Sequence, residues 1–282
     1  MKNQPLSVLI AGGGIGGLTA AICCAKNGLT VTVLEQAKNI EEAGAGLQLQ
    51  PNATRVLIAL GLADSLEAVG VRPDYLSLRA AKTGKKITAV SLKETTDNLP
   101  YYHMYRTDLQ TILLSRATEL GATVITGEKV TGYQNKKEKI ETLTQSKQTH
   151  SADVLIAADG VRSAIRSQIF SKTAANTSAQ FTGHVCYRGI VDANRLKHEI
   201  IPGGIAGSGR HFVSYYLRQK KLVNFVAQFE TEKWTEESWS TPGDIEELRE
   251  LYRDWDPQVT DILKNVETTY KWALYTRPAL PY

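Results

Sequence analysis

The 282-residue chain has 42% hydrophobic and 22% charged residues, which is typical of a globular protein and, at this length, predicts about two domains. Its net charge of +4 is small and dispersed, so the charge pattern does not favour a nucleic-acid partner. The three cysteines include no C-x-x-C pair and the five histidines lie far apart, so we expect no disulfide framework, no redox pair and no metal site.

The first 35 residues fit a strand–turn–helix–strand unit. Residues 6–11 predict a buried strand, residues 18–26 a helix that ends at Asn27-Gly28, and residues 30–34 a second strand. The turn reads GGGIGG over residues 12–17, which fits G-x-G-x-x-G, and Glu35 follows the second strand. These parts occur in the order of the dinucleotide-binding fingerprint.

Each part of this unit has a role in holding a dinucleotide. Gly12 permits the tight turn, Gly14 lets the backbone approach the pyrophosphate, and Gly17 lets the helix pack closely on the strand. The pyrophosphate is expected at the helix N-terminus and the adenosine ribose at Glu35. A tight turn without a ligand is the structural alternative. We expect no signal peptide or membrane span over residues 6–25, because five glycines interrupt that stretch.

The rest of the chain changes character along its length. Helices are predicted at residues 53–60, 109–120 (capped by Thr107 or Asp108), 244–253 and 258–265, and strands at 75–80, 87–92, 124–126, 130–135, 140–144, 152–158, 211–217 and 222–229. The first part is therefore α/β, and the middle is an antiparallel sheet with helices.

Two further positions carry weaker signals. Asp159-Gly160 follows a buried strand, at the edge where open α/β sheets bind ligands, although an Asp-Gly pair is more often only a turn. Arg106 precedes a helix, where a surface charge is the ordinary explanation.

Together these motifs resemble the flavin-dependent aromatic-ring monooxygenases of the para-hydroxybenzoate hydroxylase fold, closest to the salicylate and 6-hydroxynicotinate hydroxylase branch. The resemblance covers nearly the whole chain. Many members have His where this chain has Arg162. The motifs that carry the resemblance are residues 12–17 with Glu35, Gly44-Ala45-Gly46 with Pro51-Asn52-Ala53, Arg106-Thr107-Asp108-Leu109, residues 158–166, Tyr187-Arg188-Gly189 and residues 211–224.

The resemblance implies a Rossmann-like FAD-binding domain with a parallel sheet and a substrate domain with an antiparallel sheet. The first would comprise residues 1–72 and 100–175, the second residues 73–99 and 176–270, and residues 271–282 would begin a return to the first. FAD would be the cofactor and NADH or NADPH the co-substrate. The implied cofactor-binding residues are Gly12, Gly14, Ile15, Gly16, Gly17, Glu35, Gln36, Gly46, Arg106, Asp159 and Gly160.

The implied activity is hydroxylation of a small aromatic compound, such as a phenol, a hydroxypyridine or a salicylate-like acid, with NAD(P)H and O2. Such chemistry needs a base for the substrate hydroxyl, because the phenolate is the better nucleophile. His211 and Tyr215 are the candidates, since an even spacing on a strand points both side chains to one face. The alternative is a His–Tyr pair on the outer face of the sheet.

Members of the family continue beyond the position of Tyr282 into a strand with a Gly-Asp motif, and Gly243-Asp244 follows no apolar strand. We therefore expect a fragment or a shortened gene product with weakened FAD affinity and little hydroxylation by these residues alone. A flavin reductase or oxidase without oxygen insertion, and a non-catalytic nucleotide-binding protein, remain alternatives. A cytoplasmic location without membrane attachment and a homodimer are also expected.

Overall fold

A computed structural model describes residues 5–39, 45–95, 99–171, 179–232 and 242–279. Gly44 of the predicted glycine loop and the last three residues of the predicted return segment, residues 280–282, lie outside the described residues.

The described residues form strands and helices in the following order. The strands are β1 (Ser7–Ala11), β2 (Thr30–Glu35), β3 (Gly46–Leu49), β4 (Tyr75–Ala80), β5 (Lys86–Ser91), β6 (Tyr102–Tyr105), β7 (Thr123–Thr126), β8 (Val130–Asn135), β9 (Ile140–Thr144), β10 (Thr149–Ala152), β11 (Val154–Ala157), β12 (Gln180–Asp192), β13 (Gly203–Gly207), β14 (Arg210–Leu217), β15 (Leu222–Glu230) and β16 (Tyr270–Thr276). The helices are α1 (Ile15–Lys26), α2 (Pro51–Ala59), α3 (Ala63–Val69), α4 (Leu92–Thr95), α5 (Arg106–Glu119), α6 (Ala164–Ile169), α7 (Ile245–Leu251) and α8 (Pro257–Lys264).

A parallel sheet in the order β11-β1-β2-β7 carries the first half of the chain. Its central strand β1 is apolar and almost wholly buried, as a parallel strand covered on both faces must be. Helices α1 and α5 pack on one face, where Ile10, Leu18 and Leu113 are fully buried. On the other face Leu9 and Leu34 pack against Ile165 of α6. The carboxyl ends of β1, β2 and β11 therefore meet at one edge.

A seven-stranded sheet in the order β16-β12-β15-β14-β13-β4-β5 carries the second half together with the β4–β5 hairpin. It is antiparallel apart from the β13–β4 pair. Helices α7 and α8 cover one of its faces, and Phe212, Phe225 and Ile262 are fully buried between them. The opposite face turns toward the strand pair β3–β6. The predicted combination of a parallel-sheet α/β unit and an antiparallel sheet is confirmed. Residues 271–276 do not join the parallel sheet, because β16 pairs with β12 as the edge strand of the seven-stranded sheet.

The predicted cap of α5 is wrong. The helix begins at Arg106, its N-cap is Tyr105, and no side chain caps it. The reason is that β6 runs directly into the helix, so Thr107 and Asp108 already lie in the first turn. Asp108 instead pairs with Arg218, with Oδ1 2.6 Å from Nη2, and so connects α5 to the β14–β15 turn. Helix α1 likewise begins earlier than predicted, at Ile15.

Candidate functional site

The glycine turn after β1 allows no side chain at its two closest contacts. Gly12 has φ +104°, and a Cβ there would overlap the carbonyl oxygen of Ala158 beyond β11. A Cβ at Gly17 would overlap the carbonyl oxygen of Gly12. These contacts bring the start of α1 and the ends of β1 and β11 as close as backbone permits.

The N-terminus of α1 is open in front of this turn. Gly14 is the N-cap, and a Cβ at Gly14 or Gly16 would meet no atom within 4 Å. The first intrahelical bond runs from the Leu18 N–H to the Gly14 oxygen, 2.9 Å apart, so the N–H groups of Ile15 to Gly17 have no acceptor within the helix. Open space in front of unpaired N–H groups at the positive end of a helix suits a phosphate.

Glu35 is held in one orientation at the end of β2. Its Oε2 accepts the Gly13 N–H at 2.6 Å, and its Oε1 accepts the Ala37 N–H at 2.7 Å. Each carboxylate oxygen keeps capacity for a further donor, such as a ribose hydroxyl. Gln36, the next residue, is exposed on the bend that follows.

Gln110 of α5, which the sequence analysis did not identify, makes a hydrogen bond to the glycine turn after β1. The Gln110 Nε2 donates to the Gly13 carbonyl oxygen at 3.1 Å, while the Gln110 Oε1 is buried and has no hydrogen-bond partner. One turn earlier, the Arg106 N–H donates to the Ala45 oxygen at 2.9 Å. Arg106 therefore lies beside the β3 strand that contains Gly46.

Asp159-Gly160 reaches the same edge from β11. The Asp159 Oδ2 accepts the Ile165 N–H at 3.2 Å, and a Cβ at Gly12 would lie 3.2 Å from the Asp159 Cα. Gly160 has φ +78° with open space around it. Backbone donors, an oriented carboxylate, an aspartate and space without side chains thus converge at one edge, and this donor set fits a dinucleotide such as FAD.

The face of the seven-stranded sheet opposite α7 and α8 carries rows of mixed polar and apolar side chains. Residues that lie directly opposite on neighbouring strands share a face. One row runs His211, Gln228, Cys186 and Trp272 across β14, β15, β12 and β16. The next row on this face contains Val213, Val226 and Arg188, and the row after it contains Tyr215, Asn224 and Ile190.

Tyr215 is buried where this face meets β3. A Cβ at Gly46 would lie 2.7 Å from the Tyr215 hydroxyl and 2.7 Å from the Asn224 Cγ, so only glycine fits there. The Gly46 N–H donates to the Asn224 Oδ1 at 2.7 Å, and the Asn224 Nδ2 is buried with no partner. Burial raises the pKa of the Tyr215 hydroxyl above its usual value, so Tyr215 stays protonated at neutral pH.

His103 of β6 stacks on Tyr215, with ring centroids 4.4 Å apart. It is 1% exposed, its Nε2 has no hydrogen-bond partner, and burial lowers its pKa to about 3. His103 is therefore a neutral ring that fixes Tyr215. The sequence analysis did not identify it, although its place between Tyr102 and Met104 in an apolar strand just before Arg106 was the available signal.

His211 lies two residues before Val213 on the same strand and face as Tyr215. It is half-buried, and burial lowers its pKa, with a smaller contribution in the same direction from the nearby charge of His184. A neutral imidazole at pH 7 can accept a proton.

The structure thus brings the predicted residues together in two groups. The glycine turn, Glu35, Arg106 and Asp159-Gly160 form one group at the edge of the parallel sheet, and His211 with Tyr215 forms the other. Gly46 connects them, because it lies next to Arg106 and also contacts Tyr215. Among the described residues no helix is long and apolar enough to cross a membrane. Within the same residues, no group of three His, Cys, Asp or Glu side chains is placed to hold a metal ion.

The sequence of this chain is similar to those of known FAD-dependent proteins. The model of the family described as "FAD binding domain" matches residues 5–255. The FAD-dependent monooxygenase OpS4 of Beauveria bassiana (strain ARSEF 2860) is 33% identical over 298 residues, covering 99% of this chain and 67% of that protein. A 3-hydroxybenzoate 6-hydroxylase of Polaromonas naphthalenivorans (strain CJ2) is 32% identical over 288 residues, covering 98% of this chain and 70% of that protein.

A solved structure has the same fold. The substrate complex of salicylate hydroxylase matches with a TM-score of 0.81 at 22% sequence identity, over 99% of this chain and 71% of that chain. The match therefore includes both sheets, with the strand β14 that contains His211 and Tyr215.

Proposed function

This chain belongs to the FAD-binding domain family of flavin-dependent monooxygenases, as its motifs predict, and we propose that it hydroxylates a small aromatic compound with NAD(P)H and O2. The compound would carry a phenolic or hydroxypyridine hydroxyl group, as the substrate in the name of the 3-hydroxybenzoate 6-hydroxylase does. The observation that best supports the proposal is the contact of Gly46 with Tyr215 and Asn224, since Gly46 also lies beside Arg106, and the proposed substrate face and cofactor site would therefore adjoin.

FAD would lie along the edge of the parallel sheet. The N–H groups at the start of α1 would bind its pyrophosphate, Glu35 its adenosine ribose, and Arg106 its phosphate or ribityl region. Bound FAD would be reduced by NAD(P)H and would activate O2 for transfer of one oxygen atom to the ring. The residues that we propose contact it are Gly12, Gly14, Ile15, Gly16, Gly17, Glu35, Gln36, Gly46, Arg106, Asp159 and Gly160.

His211 would act as the general base. It is neutral at pH 7 because burial lowers its pKa, so it can take the proton of the substrate hydroxyl through an imidazole nitrogen. Tyr215, kept protonated by burial and held by the His103 ring, would donate a hydrogen bond that orients the substrate. The substrate ring would then present its electron-rich position toward the cofactor.

The test is to measure FAD binding and turnover in the same protein. FAD binding by flavin fluorescence should be retained in His211→Gln and weakened in Glu35→Gln, because only the second change affects the proposed ribose contact. NADH oxidation, followed by mass spectrometry of the product made under 18O2, should show substrate-dependent incorporation of one oxygen atom. His211→Gln should lower this incorporation roughly 100-fold or more, the usual contribution of a general base.

Glu138→Gln, in the exposed β8–β9 turn, is the matched control for Glu35→Gln. Protein that binds no flavin at excess FAD would reject the proposal in favour of a non-catalytic nucleotide-binding protein. NADH oxidation that yields only hydrogen peroxide would favour a reductase or oxidase.

Three wider features belong to the same proposal. The FAD domain would comprise residues 1–72 and 100–175 and the substrate domain residues 73–99 and 176–270, which the membership of β4 and β5 in the seven-stranded sheet supports. The protein would work in the cytoplasm, where NAD(P)H is supplied.

It would form a homodimer, and analytical sedimentation of the purified protein can test this oligomeric state.

A further inference from the structure

A cavity of about 200 Å³ lies on the other face of the seven-stranded sheet from the proposed substrate site. Its wall includes Arg79 of β4 and Asp256, the N-cap of α8. Along the sheet Arg79 lies beside Ile205, which lies opposite Phe212, and Phe212 is buried beneath α7 and α8. The cavity therefore belongs to the helix-covered face and has no part in the function proposed above.

The guanidinium of Arg79 has donors that its surroundings do not match. Arg79 and Asp256 are each 6% exposed, and the Arg79 Nη1 lies 3.4 Å from both carboxylate oxygens of Asp256, a long contact. Its Nε and Nη2 are buried, and among the described residues neither has a hydrogen-bond partner. A buried ion pair is favourable only when further hydrogen bonds satisfy its remaining donors. Arg79 therefore has capacity for another acceptor.

Two further carboxylates line the cavity, those of the half-buried Asp261 of α8 and the exposed Glu199. The Asp261 Oδ2 accepts the Lys197 N–H at 2.8 Å, which orients this side chain. In the part of the chain that the structure describes, no Lys, Arg or His makes an ion pair with either carboxylate. Since Arg79 and Asp256 balance each other in charge, these two carboxylates make the solvent-facing side of the cavity negative.

We infer that the cavity binds a small zwitterion, a free amino acid, with its carboxylate at Arg79 and its ammonium group at Asp261 and Glu199. A simple anion would meet the guanidinium but would be repelled by the carboxylates around it. A simple cation would leave the buried donors of Arg79 unmatched. The planar guanidinium suits the carboxylate end because its N–H groups form a fork.

The size and lining of the cavity fit this class of ligand. At roughly 30 Å³ for each water-sized group, a volume of about 200 Å³ holds about seven non-hydrogen atoms, the size of an aminobutyrate. The buried Ile200 and the partly buried Leu196 supply an apolar wall for the carbon chain. The inference does not depend on the proposed function.

The experiment titrates the whole 15N-labelled protein with 4-aminobutyrate and with its isomer 2-aminobutyrate, and binding is followed by NMR of the backbone amides. The Lys197 and Gln258 signals report on the site, because these N–H groups donate to Asp261 and Asp256. Both signals should move in one saturable step with at least one isomer. Butyrate, which lacks the ammonium group, and butylamine, which lacks the carboxylate, should each bind at least about 10-fold more weakly.

Two substitutions separate the two ends of the ligand. Asp261→Asn keeps an oxygen for the Lys197 N–H, and it should weaken the aminobutyrate roughly 10-fold while leaving butyrate within about threefold. Arg79→Lys keeps a positive charge beside Asp256 but loses the fork, so it should weaken aminobutyrate and butyrate by the same factor. Asp64→Asn, at an exposed position in α3, is the matched control for Asp261→Asn and should bind as wild type does.

Lys197 and Gln258 signals that do not move with either isomer at about 100 mM would overturn the inference. Butyrate that binds as tightly as the aminobutyrate would also overturn it, since the site would then be one for simple anions. Equal binding of butylamine would assign a cation site and would overturn it as well. None of these measurements involves FAD or turnover, so a failure here leaves the proposed hydroxylase untouched.

Discussion

The buried histidine of β6 makes the stability of the fold depend on pH. His103 is 1% exposed, and burial lowers its pKa from the ordinary 6.5 to about 3. In the unfolded chain the same imidazole binds a proton below pH 6.5, whereas in the folded chain it does not until pH 3. The unfolded state therefore binds more protons over this window, and the free energy of unfolding must fall as the pH is lowered through it.

The size of the effect follows from the slope of about 1.4 kcal/mol per pH unit for one proton. Between pH 7.0 and pH 5.0 the loss from His103 should be about 2 kcal/mol, a sizeable part of the 5–15 kcal/mol that is typical of a domain. His103→Phe keeps an aromatic ring that can stack on Tyr215 and meet Tyr101 edge to face, and it removes the titrating group. The stability difference between the two pH values should therefore shrink by about 2 kcal/mol in this variant.

Urea unfolding at pH 7.0 and pH 5.0, followed by tryptophan fluorescence, measures that difference. Because each variant is compared with itself, any cost of the Phe substitution that does not depend on pH cancels. His198→Gln, at an exposed position, is the exposed-histidine control and should behave as wild type. If His103→Phe loses as much stability between the two pH values as wild type does, the reasoning is wrong.

Two further substitutions test the two halves of the site. Gly12→Ala should lower the free energy of unfolding by more than the roughly 1–2 kcal/mol of left-handed strain, because the added Cβ also overlaps a backbone oxygen. Gly28→Ala is the control, since Gly28 has φ +77° and open space, and it should lose only the free energy of that strain. Urea unfolding measures both losses. Equal losses in the free energy of unfolding for the two variants would show that the backbone near position 12 moves to make room for the added Cβ. His184→Gln should move the acid limb of the kcat/KM profile to higher pH, because a neighbour that lowers the pKa of His211 is removed, and the exposed-histidine control should leave the limb in place. An unmoved limb would mean that His211 is not the titrating base.

The glycine turn and its flanking strands could be predicted from the sequence because their requirements are local. Gly12 needs a left-handed backbone and Gly17 a close approach, and both requirements restrict residue type at fixed spacing. The apolar run of β1 is buried on both faces, so its character also appears directly in the sequence.

The supporting residues could not be predicted because their contacts are distant along the chain. Gln110 meets the Gly13 oxygen across 97 residues, and Asn224 meets the Gly46 N–H across 178. A single sequence contains no pattern that joins such pairs. The prediction of the α5 cap was wrong for a related reason. Because β6 runs directly into α5, the first polar residues of the helix do not cap it, and Asp108 pairs with the distant Arg218 instead.

The contact of Gly46 with Tyr215 and Asn224 also limits how the pocket can be redesigned. At that end the distance between β3 and the sheet is set by one missing Cβ, so a larger ring at position 215 or any side chain at position 46 would push the two apart. Among the described glycines, none of β3 makes such a contact at the His211–Gln228–Cys186 end of the face. Attempts to admit bulkier aromatic compounds should therefore vary Gln228 and Cys186, and the Tyr215 end should be left unchanged so that the proposed cofactor and substrate sites keep their relative position.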